Sequence, residues 1–287
     1  MKKVLIVGKN SYIGKQLFDH IKSNNKKLSV ESISIRSNQS ITSLNLKKYE
    51  SVIYLAGIAH KKESKINMHE YYKVNYELSC NFAKECKKQG VKRFIFISSM
   101  SVFGKKSGEI NENTSLNPDT HYGKSKLLAE KFLVNKLNDD DFNVVIVRPP
   151  MVYGFNAVGN YKKLSFISKI TPLFFDIENK RSMIYITNLI LYIIEILNNK
   201  EVEIYHHPQN SYYMNTTSIV KEIAKINKRQ IHCIRLQKVL EDTLLNVKIF
   251  NKIFGDLYYS SNFSLESKII IREIDFQSSI FRSEQKS

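Results

Sequence analysis

The chain has 287 residues, 43% of them apolar, and carries 44 lysines and arginines against 27 acids, for a formal net charge of +17 at pH 7. That length and apolar content exclude a disordered chain or a small disulfide-held module, and fit one large domain with a smaller partner domain. The cations are scattered over every segment with no basic motif interleaved with aromatics, which argues against nucleic-acid binding. Attraction to an anionic sugar nucleotide or to an anionic membrane surface, or drift of composition, explains the charge instead.

Val4-Leu5-Ile6-Val7 is too short for a secretory leader and ends in Gly8, so Lys3 to Val7 is predicted as a strand. Lys9-Asn10-Ser11-Tyr12-Ile13-Gly14 and an amphipathic segment, Lys15 to Lys22, complete a strand, glycine turn and helix. Such a turn offers backbone N–H groups to a pyrophosphate at a helix N-terminus. Gly8 permits the turn and Gly14 close packing of helix on strand. Ser11 stands where a third glycine is usual, and its side chain either hydrogen-bonds a phosphate or weakens cofactor binding. The next predicted strand, Ser29 to Ile35, is followed by Arg36-Ser37-Asn38 with no acid. An acid there would bind the ribose diol of NAD, whereas an arginine accommodates the extra phosphate of NADP. NADP(H) is therefore favoured through Arg36, and NAD(H) stays open: Arg36 is otherwise a plain loop cation, and Glu31 serves the ribose if the strand register shifts.

Further strands are predicted at Ser51 to Leu55, Arg93 to Ile97 and Asn143 to Val147, with a polar loop over the cofactor at Gly57 to Asn67. Alternation of strands with helices argues for a doubly wound parallel sheet of Rossmann type. Cys80 and Cys86 lie on a predicted helix and Cys233 far away; without metal-ligand spacing they are expected to be packing thiols in a reducing cytosol, and no metal is expected. After Arg148-Pro149-Pro150 the alternation stops. The boundary is placed near Gly154, giving residues 1–154 as the dinucleotide-binding domain and 155–287 as a smaller substrate domain. Met183 to Leu197 is apolar but contains Thr187, Asn188 and Glu195, so it is expected to be a buried strand and helix rather than a membrane span of about 20 residues. Lys248 to Tyr259 is basic and aromatic, suited to core packing or to a membrane contact, and Ser278 to Ser287 is expected to fray.

The chemistry centres on Tyr122 and Lys126, four residues apart on one helix face. A free tyrosine has a pKa of about 10. A fixed ammonium nearby stabilises the phenolate and lowers that value, making the phenol a proton shuttle. Upstream, Phe94-Ile95-Phe96-Ile97 ends in Ser98-Ser99, an apolar strand delivering hydroxyls to its carboxyl end.

Gly8/Gly14, Ala56-Gly57, Asn75, Ser99, Tyr122/Lys126 and Arg148-Pro149-Pro150-Met151-Val152-Tyr153-Gly154 resemble the extended short-chain dehydrogenases/reductases that modify nucleotide sugars, over essentially the whole chain. Gly159-Asn160-Tyr161, Arg181-Ser182-Met183-Ile184-Tyr185-Ile186 and Tyr205-His206-His207-Pro208-Gln209 resemble the 4-ketoreductases of the bacterial surface-polysaccharide, or capsule, branch. The resemblance implies a cofactor site at Gly8, Ser11, Tyr12, Ile13, Gly14, Leu55, Ala56, Gly57, Asn75 and Pro149 besides Arg36, Tyr122 and Lys126. It implies Ser99, Tyr122 and Lys126 as catalytic residues, with Ser99 preferred over Ser98 because it lies five residues before Gly104. Asn160 and Arg181 are implied to hold the diphosphate of a UDP-sugar beside Ser99 and Tyr122. Dehydratases of this family carry Asp-Glu after the catalytic Ser/Thr, and epimerising reductases a cysteine nearby; Met100-Ser101 argues against both. Two activities stay open: reduction of a UDP-4-keto-6-deoxy-N-acetylhexosamine, which is favoured, and 4-epimerisation with NAD retained. A non-catalytic dinucleotide sensor on the same fold is the remote alternative. A homodimer through Tyr72 to Lys88 and Tyr122 to Lys136, a cytoplasmic location and a place at the membrane surface are the expected associations.

Overall fold

The computed structural model describes residues 1–35, 37–59 and 68–285. Strand β1 (Lys2–Val7) is buried from Val4 onward, as suits a parallel strand covered on both faces. Gly8 then turns at φ +119°, and a Cβ there would lie 2.9 Å from the Ala56 nitrogen, so glycine is required. There follow α1 (Tyr12–Asn24), β2 (Leu28–Ile33), the short α2 (Gln39–Thr42) and β3 (Ser51–Tyr54). Helix α3 (Met68–Tyr71) widens into a π-helical turn, Tyr72–Glu77, and continues as α4 (Leu78–Lys88). Next come β4 (Arg93–Ile97), a 3-10 turn (Met100–Phe103), β5 (Gly108–Ile110), α5 (His121–Phe132), β6 (Asn143–Val147) and β7 (Met151–Tyr153).

The rest is more regular than the sequence suggested. It holds α6 (Asn160–Ile170), β8 (Leu173–Phe175), β9 (Met183–Tyr185), α7 (Ile186–Asn198), β10 (Tyr205–His206) and α8 (Thr216–Ile226). After these run β11 (His232–Ile234), α9 (Lys238–Leu245), α10 (Lys248–Phe254), β12 (Leu257–Tyr259), α11 (Ser261–Leu265) and α12 (Phe276–Glu284).

Six parallel strands form the central sheet in the order β10-β6-β4-β3-β1-β2. Side chains alternate between two cores. Val4, Ile6, Ile53, Ile95 and Val145 face a core shared by Leu17 of α1 and Leu189 and Ile193 of α7. Leu5, Val7, Tyr54, Phe94, Phe96 and Val144 face the other, with Phe82, Cys80 and Cys86 of α4 and Leu133. This period of two, with helices on both faces, is the doubly wound arrangement. Strand order reverses at β1, with β2 on one side and β3 on the other, so the loops leaving β1 and β3 diverge and open a crevice at their carboxyl ends.

Strands β4 and β6 match their predicted bounds, while the predicted Ser29 to Ile35 stops at Ile33 and Ser51 to Leu55 at Tyr54. Met183 to Leu197 is the expected buried strand and helix, β9 and α7. The segment after Gly154 does not stay apart from residues 1–154: α7 supplies a helix layer against α1, and β10 extends the central sheet beside β6. Among the described residues the end of the chain does not fray either. Asp275 caps α12, Ser279 and Ile280 are buried, and the Tyr161 hydroxyl donates to Glu284 at 3.0 Å. Among the described residues no helix is long and apolar enough to cross a membrane.

Candidate active site

A cleft of about 590 Å³ lies over the carboxyl ends of β1, β3 and β4 and is closed on the far side by Asn160 and Leu257. Ser11, Tyr12, Ile13, Leu55, Gly57, Ser99, Tyr122, Lys126, Pro149 and Asn160, all predicted from sequence, line it. Met151, Lys105 and Leu257 line it too and were not predicted; Leu257 comes from late in the chain, where no local pattern marks it.

Gly14 lets α1 approach β1, since a Cβ there would sit 2.4 Å from the Gly8 carbonyl oxygen. Ser11 has a different task from the two envisaged. Its Oγ donates to the Gly8 carbonyl at 2.8 Å and accepts from the Gly14 N–H at 3.0 Å, so it caps the helix and ties the turn. No acid occupies the first turn of α1, which keeps the positive end of the helix available to an anion. The buried hydroxyls of Tyr12, Ser98 and Ser101 find no hydrogen-bond partner among the described residues, yet these residues line the cleft.

Asn75 is fully buried and does not line the cleft. Its amide accepts from the Ile58 N–H at 2.8 Å and donates to the Ile58 carbonyl and to Ser125 Oγ, each at 3.1 Å, so it fixes the exit loop of β3 rather than reaching into the cleft. Ala56 packs partly into the second core. Glu31 lies within β2 opposite Leu5, two residues short of the strand's carboxyl end, and is paired with Lys48 and Tyr49 at 2.9 and 2.6 Å. Arg36, and residues 60–67 of the predicted cofactor loop, lie outside the described residues.

Thr120 caps α5 by accepting from the Gly123 N–H at 3.0 Å, which sets Tyr122 in the first turn and Lys126 one turn on. Gly123 is needed there: a Cβ would lie 2.7 Å from the Ser101 carbonyl oxygen and hold α5 off the 3-10 turn. Tyr122 and Ser99 line the cleft together. Burial pushes the Tyr122 phenol up to about 12, and the neighbouring Ser99 hydroxyl is the influence that opposes this. The expected lowering by Lys126 is corrected. The Lys126 Nζ donates to the Ile97 carbonyl at 2.8 Å and sits 4.5 Å from the Phe96 ring centre, directed at the strand end. Burial pulls its own pKa down to about 8, with Glu130 acting to raise it.

Behind Lys126 runs a buried polar chain that sequence reasoning missed. Arg148 Nη2 donates to Glu130 Oε2 at 2.7 Å and its Nε to both carboxylate oxygens at 3.2 Å. Its Nη1 lies 3.3 Å from His207 Nε2; since arginine only donates, that nitrogen must be unprotonated. Burial, then the Arg148 charge, holds His207 down at about 3, and burial holds His206 at about 4. The unfolded chain takes up these two protons near pH 6.5, the folded one only near 3 to 4, so stability is lost as pH falls through that interval. Thermal melts should therefore fall steadily between about pH 6.5 and 4, and His207→Gln, which keeps an acceptor but cannot titrate, should flatten the decline. An unchanged slope would discount His207.

A second cavity of about 340 Å³ adjoins the cleft through Met151 and Asn160, and holds Arg181, Lys163, Lys252 and Thr216 among apolar walls. Arg181 is partly anchored, its Nη1 donating to the Gly255 carbonyl at 2.7 Å. Three cations in an apolar recess suit an anion.

A profile of the NAD dependent epimerase/dehydratase family matches residues 4–207. The chain belongs to that family, the extended short-chain dehydrogenases/reductases. It is 33% identical over 226 residues to a UDP-glucose 4-epimerase of Vibrio cholerae, a match covering 74% of this chain and 66% of that protein, just under two thirds of the relative's length. It is 28% identical over 244 residues to the N-acetyl-alpha-D-glucosaminyl-diphospho-ditrans,octacis-undecaprenol 4-epimerase of Escherichia coli O157:H7, covering 79% of this chain and 73% of the relative. Among solved structures, RMD from Pseudomonas aeruginosa complexed with NADPH superposes with a TM-score of 0.79 at 16% identity, covering 99% of this chain and 98% of that one, a likeness of fold.

Proposed function

We propose that the chain is a cytoplasmic reductase that transfers hydride from NADPH to C4 of a UDP-4-keto-6-deoxy-N-acetylhexosamine, yielding UDP-N-acetylfucosamine or UDP-N-acetylquinovosamine for surface-polysaccharide synthesis. The observation that carries this reading is the meeting of Ser99, Tyr122 and Lys126 on one cleft, with Met100 and Ser101 rather than an acid pair beside them. The nicotinamide supplies the hydride. Tyr122 gives its proton to the sugar oxygen as that oxygen gains charge, Ser99 holds the oxygen in line, and Lys126 binds the ribose edge. A phenol held protonated suits donation, the proton step of reduction. Asn160, Arg181, Lys163 and Lys252 would bind the diphosphate. The lack of an acid at the end of β2 supports NADPH, with NADH the alternative. A homodimer through α4 and α5 belongs to the same proposal.

The 4-epimerase relatives support a second reading, a UDP-sugar 4-epimerase retaining NAD. Oxidation of NADPH or NADH in the presence of enzymatically made UDP-4-keto-6-deoxy-N-acetylhexosamine distinguishes the two, with the C4 configuration of the product read by NMR. Stoichiometric oxidation and one 6-deoxy product support the reductase. No oxidation, with interconversion of UDP-N-acetylglucosamine and its galacto isomer, replaces it by the epimerase.

A further inference from the structure

Eight large apolar side chains stand exposed on one group of elements: Phe166 and Ile170 of α6, Leu173 of β8, Ile234 of β11, Val239 and Leu240 of α9, and Val247 and Ile249 before and within α10. Val239 is 80% and Ile249 75% exposed. These elements are neighbours. Strands β8 and β11 pair, Phe174 and Phe175 stack on Phe254 and Phe250 of α10, and Ile167 of α6 and Ile249 of α10 both flank the smaller cavity. Helix α9 buries none of its residues. The basic-aromatic stretch Lys248 to Tyr259 is thus divided, with Phe254 and Tyr259 in the core and Lys248, Ile249 and Lys252 at the surface.

The same segments, residues 160–175 and 228–253, carry nine lysines and arginines against two acids. Both acids, Glu241 and Asp242, are already paired with Lys238, at 3.1 and 3.2 Å. Lys169 is paired with Glu284 as well; exposed apolar side chains set among a net excess of cations match an anionic bilayer, whose interface takes the apolar groups while its headgroups meet the charge. A second copy of this chain would bring like charges face to face.

We propose that this face docks on an anionic lipid surface, setting the mouth of the smaller cavity against the membrane. The inference is independent of whether the reaction is reduction or epimerisation.

The test is co-sedimentation of the full-length protein with vesicles of phosphatidylcholine, with and without phosphatidylglycerol, alongside its mass by light scattering. Binding should require phosphatidylglycerol and weaken with salt. The charge reversal Lys162→Glu with Lys248→Glu should lower vesicle affinity at least about tenfold. Ile170→Glu with Val239→Glu should do likewise, and Ile270→Glu, an exposed apolar position elsewhere, should leave binding unchanged. Absence of wild-type binding to either vesicle overturns the proposal, as does binding indifferent to the Lys162 and Lys248 reversals. If the Ile170 and Val239 pair instead halves the solution mass while vesicle binding is absent, the face is an interface between copies.

Discussion

Replacing Tyr122 by Phe should slow turnover about a thousandfold, within the range for loss of a positioned general acid, while NADPH binding measured by fluorescence stays close to wild type. The reason is local. Tyr122 stands at the cleft with Ser99, so under the proposed reaction its O–H is the donor for a sugar oxygen that gains charge. Removing the hydroxyl leaves the ring and the capped start of α5 in place, so KM should move far less than kcat. Ser99→Ala should cost less, because it removes orientation of the oxygen but not the proton. Turnover by Tyr122→Phe close to that of wild type would dismiss Tyr122 from the chemistry and leave the fold as a binding scaffold.

Glu130→Ala should destabilise the protein by about 3 to 5 kcal/mol, the penalty for stranding a buried charge. Arg148 is 5% exposed and Glu130 1%, so neither can turn to water. At about 2 to 4 °C per kcal/mol for a chain of this order of size, the melting temperature should drop by about 10 °C. Adding Arg148→Met should recover most of the loss, since a chain with neither charge has none to strand. A single variant as stable as wild type would mean that water reaches the pair. Glu130 also acts on Lys126, whose pKa burial holds near 8. Glu130→Gln should therefore move the alkaline limb of kcat/KM to lower pH, as the ammonium is lost sooner. Stability follows the opposite sign: the unfolded chain keeps this proton to about pH 10.5 while the folded one releases it near 8, so the burial penalty on Lys126 shrinks across that interval.

What could be read beforehand was what repeats locally. Apolar runs of four to six residues ending in Gly8, Ala56-Gly57, Ser98-Ser99 and Arg148-Pro149 gave four of the six central strands and the side of the sheet on which chemistry sits, and the alternation around Val30 gave β2. Tyr122 and Lys126 were legible because helical spacing is a local rule. β10 was hidden: two residues carry no period, and they are strand only because β6 offers an open edge. The Glu130–Arg148–His207 chain was hidden too, since its members are 18 and 59 residues apart and meet only through the fold. Glu130 did give one signal, falling four residues after Lys126 on the same helix face. The electrostatics of Tyr122 went astray for a similar reason: spacing places a cation near a phenol but does not say that the cation turns toward Ile97 or that both leave water.

The strands that cross Gly154 have a mechanical meaning. β9 is hydrogen-bonded to β7, β10 to β6 and β12 to β5, and the Tyr259 hydroxyl donates to the Arg148 carbonyl at 2.9 Å. Jaw-like closure requires a few residues that swing while the rest move as rigid bodies. Here any such swing would tear three ladders at once. These ladders set the two sides of the cleft together when the chain folds, so a ligand such as the proposed sugar meets a fixed outline rather than two halves that it draws together.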